Sequence, residues 1–109
     1  MPQGIITGLS QFYVDGLERT EITINRQNAA PLPYQDNLRI PVTLQVGTEQ
    51  YEAGLRATPN MPVVWISPDL RDSHGNRVSL ARVLINNGFR RNQRVYLEVN
   101  GRVVTVLPF

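Results

Sequence analysis

Apolar and polar residues alternate along this chain in short runs separated by turn residues, the period-2 signature of strands with one buried face. Thr20-Glu21-Ile22-Thr23-Ile24 is one such run. Arg39 to Val46 is another, with Ile40, Val42, Leu44 and Val46 on one face; Gly47-Thr48 then turns tightly into Gln50 to Arg56, and the pair predicts a hairpin. Pro41 falls on the polar face of its run and has no N–H to donate, so it predicts an edge or a break in pairing. Pro62-Val63-Val64-Trp65-Ile66 is apolar on both faces, which predicts a central strand buried on two sides with Trp65 in the core.

From Ser79 the period changes. Leu80, Val83 and Leu84 recur at helical spacing, Ser79 is placed to cap the N-terminus, and Gly88 follows as the residue that ends the helix in a left-handed conformation, with Phe89 packing back onto it. Alternation then resumes in Arg94 to Val99 and Arg102 to Leu107 around Asn100-Gly101, the signature of a type I′ hairpin turn. Two polar connections, Asn25 to Asn37 and Ser67 to Val78, read as long loops. Many short strands with a single helix predict a mainly β fold with one short helix, a small open or pseudo-β-barrel of about six to seven strands rather than a sandwich.

Length and composition restrict what such a barrel can be. The 109 residues suffice for one domain, 1–109, and 41% apolar with 18% charged residues is a globular composition. No apolar run is long enough to cross a bilayer and the N-terminal segment does not resemble a signal peptide, so the expected location is cytoplasmic. Without cysteine there is no disulfide, thiolate metal site or cysteine nucleophile.

Charge is uneven. Residues 1–54 carry three arginines against six carboxylates, a net −3, whereas residues 55–109 carry eight arginines against three, a net +5. Every cationic side chain is arginine, suited to bidentate contact with phosphate and with guanine edges.

Candidate chemistry follows from what remains. The absence of lysine removes the P-loop and Schiff-base chemistry. Asp69, Asp72 and His74 are close in sequence, but their spacing fits no metal signature and they read as turn residues, so neither metal nor cofactor is expected and no catalytic constellation is visible. Binding chemistry is better supplied. Arg26, Gln27 and Asn28 in the first loop, and Arg71, His74, Asn76 and Arg77 in the second, are residue types that read base edges. Arg90, Arg91 and Arg94 form the densest basic cluster, suited to phosphates.

The segment Val78 to Val106 resembles the end of the DNA-binding pseudobarrel family, which includes the plant B-three domains and the specificity domains of some type II restriction endonucleases. Gly88, Phe89, Val95, Leu97 and Val99 carry the likeness, although Asn92-Gln93 stands where that family has Gly-Asp. The same stretch is similar to the swapped-hairpin AbrB and SpoVT group. The first resemblance implies two loop arms gripping the major groove. The function expected is therefore non-catalytic, sequence-specific recognition of double-stranded DNA, as a module of a restriction or regulatory system. The alternative is a protein–protein interaction module or assembly subunit, with a protein partner or a larger parent chain and no nucleic acid.

Overall fold

In the computed structural model, which describes all 109 residues, the alternation closes into a ring. The strands are β1 (Gln3–Phe12), β2 (Glu18–Asn25), β3 (Arg39–Val46), β4 (Glu49–Ala57), β5 (Val63–Ile66), β6 (Asp69–Arg71), β7 (Arg77–Ser79), β8 (Arg94–Asn100) and β9 (Val103–Pro108), with one helix, α1 (Leu80–Asn86). Seven of them close a barrel in the order β3-β9-β8-β1-β2-β5-β4 and back to β3. All neighbours in the ring are antiparallel except β3 and β9, whose parallel register runs from Thr43 opposite Val103 to Val46 opposite Val106. The expected fold class is what the chain adopts, and the ring is closed rather than open.

Inward positions explain the closure. Ile22 and Ile24, Val42, Leu44 and Val46, Leu55, Val64 and Ile66, Val95 and Leu97, and Val104 and Val106 belong to one cluster of 22 buried residues. Burying each such side chain stabilises the fold by roughly 1.5–3 kcal/mol. β1 was absent from the alternation because two of its positions are glycines. At Gly4 a Cβ would lie 2.7 Å from the Ile22 methyl, so the strand can approach β2 only without a side chain there.

Both ends of the barrel are plugged. The connection Asn25 to Asn37 is not featureless: a 3₁₀ turn, Arg26–Asn28, leads into buried Ala29 and Leu32, which cover one end. α1 covers the other, where Leu80, Val83 and Leu84 are buried. Ser79 caps it as expected, its hydroxyl accepting from the Arg82 N–H at 3.1 Å. Gly88 takes a positive φ of 84°, and the Phe89 N–H returns to the Leu84 carbonyl.

Two hairpins test the turn chemistry. Gly47-Thr48 forms the two-residue loop between Val46 and Glu49, as predicted. At the C-terminal hairpin the strands are those expected, but the loop is Gly101-Arg102, one residue later than the Asn100-Gly101 pair. Only Gly101, at φ 63°, enters the left-handed region, so glycine leads this loop as it leads the other. Pro41 pairs with Gly54 of β4 but precedes the start of β9 pairing at Thr43, which is the break it predicted.

The second long connection differs most from expectation. Ser67 to Val78 holds a two-stranded ribbon, β6 and β7, whose register sets Asp69 opposite Ser79, Leu70 opposite Val78 and Arg71 opposite Arg77. Leu70 is buried and anchors the inner face. The ribbon leaves the barrel wall after Pro68, meeting β4 at Glu52 opposite Arg71. No helix is long and apolar enough to cross a membrane.

Candidate functional site

Between the ribbon and the outer wall of the barrel lies a cleft of about 500 Å3, lined by Arg19, Arg39, Arg56, Arg71 and Arg77, with Glu52, Asp69 and Trp65. Each comes from an outward position of its strand. Inward Ile22, Leu55 and Ile66 are followed or preceded by outward Arg56, Trp65 and Thr23, and cross-strand register aligns these into a row: Arg39, Arg56, Trp65, Thr23, Ile5, Arg94.

The electrostatics of this cleft are unfavourable to the fold alone. Arg39 stands directly opposite Arg56, and Arg71 directly opposite Arg77. Like charges in directly opposed positions destabilise a strand pair. Compensation is partial: Asp69 accepts from Arg19 at 2.9 Å and Glu52 lies 3.7 Å from Arg39. Arg71 donates to the Gly75 carbonyl, while Arg56, Arg71 and Arg77 have no ion-pair partner. Five guanidinium groups against two carboxylates leave an excess of positive charge facing one concavity, the electrostatic form of an anion site.

Gly54 makes room for it. This outward position lies between Glu52 and Arg56 on β4, and a Cβ there would meet the Arg39 guanidinium, which lies across the strand. Behind the cleft, Tyr13 rests under Arg19 with 5.8 Å between guanidinium carbon and ring centre, and burial pushes its phenol above the usual range. The Tyr13 hydroxyl, the Arg19 Nε and the Thr20 hydroxyl are buried without a hydrogen-bond partner.

The ribbon tip is ordered by one carboxylate. Asp72 Oδ1 accepts the backbone N–H groups of His74 and Asn76, both at 2.9 Å, and the Asn76 bond foremost holds its carboxyl below the usual range. Asp72 and His74 form a turn as expected, with Asp72 bonding its own backbone, whereas Asp69 is a strand residue of β6 paired with Arg19 rather than a turn residue. His74, Asn76 and Arg77 are all exposed at the tip.

The ten residues named from sequence divide among several places. Arg71 and Arg77 line the cleft, while His74 and Asn76 lie outside it on the exposed turn that joins β6 to β7. Arg26 is a structural tie: it donates to the Met61 and Thr58 carbonyls and to Asp36 at 3.0 Å, and lies over the Tyr34 ring. Gln27 is exposed on the 3₁₀ turn, and Asn28 shares a recess with Arg94 at the far end of the outward row. Arg94 sits over Phe109, which stacks on Tyr96. Arg91 turns to Glu18, and with Arg90 it rims a smaller apolar recess beside α1.

Trp65 is corrected. It is half-buried on the outer wall and outside the core cluster, because a barrel strand hides one face only and the second apolar face of β5 opens to the cleft. Arg19, Arg39 and Arg56 were not singled out from sequence, since three separate strands bring them together; the opposed arginines become visible only once register is known. No family model, curated protein or solved structure matches this chain.

Proposed function

We propose that this chain is a non-catalytic, sequence-specific double-stranded DNA-binding domain whose reading element is the β6–β7 ribbon. The observation that carries the proposal is the pair of like-charged cross-strand couples, Arg39 with Arg56 and Arg71 with Arg77, turned toward one cleft. Such couples cost stability unless an anion joins them, and a polyanionic backbone supplies regularly spaced phosphates. A two-stranded ribbon fits the major groove, about 12 Å wide. In this arrangement Arg71, His74, Asn76 and Arg77 approach base edges while Arg39 and Arg56 hold phosphates, which fix position without specifying sequence. The resemblance of Val78 to Val106 to the DNA-binding pseudobarrels agrees with this reading and suggests a place in a restriction or regulatory system.

The test is selection from a randomised duplex pool at two salt concentrations with Arg71→Ala and Arg77→Ala alongside the parent chain. Enrichment of a defined motif that either substitution weakens supports the proposal; no retention even at low salt overturns it.

A second reading, a protein-interaction module, draws on the recess of about 200 Å3 beside α1. There Ile85, 49% exposed, and Phe89 meet Leu17 and Ala81 under the rim of Arg90 and Arg91. Loss of partner capture in Ile85→Glu, with DNA retention absent in the parent, favours that reading.

A further inference from the structure

Trp65 is the one broad apolar surface in a cleft otherwise lined by charged and small polar groups. Leu70, the other large apolar residue there, is buried beneath the ribbon. Arginines lie over aromatic rings at Tyr13, Tyr34 and Phe109, yet none of the five cleft arginines lies over the indole of Trp65, and no aromatic side chain stacks on it. Its flanking row neighbours are Arg56 on one side and Thr23 on the other. A half-exposed indole with no stacking partner, next in its row to Arg56 and then Arg39, is complementary to a planar ligand that carries negative charge. The cleft, at about 500 Å3, lies within the ~300–1,000 Å3 range of small-ligand sites.

We infer that the cleft receives a single unpaired nucleotide of the bound DNA, its base stacked on Trp65 and its phosphate held between Arg39 and Arg56. This rests on the DNA-binding reading and adds to it a preference for a nucleotide outside the helical stack. Every base has a face to offer an indole, so the contact is tolerant of base identity and adds affinity rather than sequence choice. The Arg71–Arg77 ribbon, on the other wall, remains free to enter the groove of the adjoining duplex. An unpaired nucleotide is favoured over a fully paired one because extrusion from an intact stack costs a few kcal/mol, which a bulged or mismatched base largely avoids.

The chain contains one tryptophan, so its fluorescence reports this contact alone. The experiment compares a fully paired duplex with the same duplex carrying one extra unpaired nucleotide, reading binding by anisotropy of labelled DNA and stacking by Trp65 emission. The bulged duplex is expected to bind at least about fivefold tighter, in line with the affinity a base–aromatic stack contributes, and to quench Trp65 where the paired duplex does not. Trp65→Leu is expected to make the two duplexes equivalent, and Trp65→Phe to keep part of the preference. Equal affinities and unchanged emission, with the paired duplex still bound, overturn the inference and leave the DNA-binding reading in place. Absence of binding to either duplex at low salt overturns both. A bulge preference that survives Trp65→Leu also overturns the inference, since the unpaired nucleotide would then be held elsewhere.

Discussion

Arg56 stands between Arg39 on one neighbouring strand and Trp65 on the other, facing a guanidinium across β3 and β4 and an indole across β4 and β5. On the DNA-binding proposal, its position makes stability and duplex affinity respond in opposite directions to one substitution. Arg56→Gln relieves the opposed charge and is expected to raise unfolding free energy by about 0.2–0.5 kcal/mol, the low end for cross-strand charge effects because both groups are exposed. The same change is expected to weaken duplex binding and to reduce the slope of log affinity against log salt by about 0.9, one phosphate contact. Denaturant unfolding and binding at three salt concentrations check the two halves.

Glycines on the two faces of the wall separate site from core. Gly54→Ala places its methyl against the exposed Arg39 side chain, from Cγ to the guanidinium, which must rotate aside into solvent, so stability should change by less than ~1 kcal/mol while DNA binding falls as in Arg39→Ala. Gly4→Ala meets a packed Ile22 methyl at 2.7 Å instead, and overpacking there should destabilise by about 1–3 kcal/mol. Thermal unfolding distinguishes them.

Arg26 supplies the contrasting arginine. Its bonds to Met61, Thr58 and Asp36 join the plug of one barrel end to the β4–β5 connection, and the Asp36 bond foremost raises its pKa further. Arg26→Ala is expected to lower the unfolding midpoint and increase amide exchange around Ala29 and Leu32, while the folded fraction binds DNA with an unchanged salt slope.

Glu21 gives a pH signature. It lies on the outer face of β2 with no cationic partner, and burial raises its carboxyl above the usual range. A raised pKa means that the folded chain holds the proton more tightly than the unfolded one. The stabilising contribution is therefore complete below the ordinary glutamate range and is lost as pH rises through the folded value. Glu21→Gln should be more stable than the parent at pH 7.5 and nearly equal to it near pH 3.5, as read by denaturant midpoints.

Asp72 gives the opposite dependence. Backbone N–H groups of Asn76 and His74 hold its carboxyl low, so its contribution is present above the ordinary aspartate range and is lost as pH falls through the lowered value. Asp72→Ala should accelerate exchange at the His74 and Asn76 amides and blunt sequence preference while global stability changes little.

The parts read correctly from sequence are those fixed by local chemistry. Ser79, Gly88 and Phe89 define the helix ends, and Ile40 to Val46 define a strand whose inward face can be counted. What escaped depends on closure. β1 carries glycine at an inward position because β2 approaches too closely for a side chain, so its alternation is hidden. The ribbon offers only three residues per strand, too few for a period to show among turn residues. Arg71 and Arg77 were legible as candidates, but Arg90, Arg91 and Arg94, adjacent in sequence, point to an apolar recess, to Glu18 and to Phe109. Density of charge along a chain does not report the direction in which each side chain leaves the wall.

The parallel seam between β3 and β9 also sets an order of events during synthesis. Val46 must wait for Val106, sixty residues later, before the ring can close, and β1 likewise waits for β8. A nascent chain therefore leaves the ribosome with β3 and β1 as open edges that can pair with neighbouring molecules. Cutting the chain after Asn100 removes β9 and leaves β3 and β8, the two strands it joins, permanently unpaired on that side, so the product is expected to associate with copies of itself rather than fold as a smaller barrel.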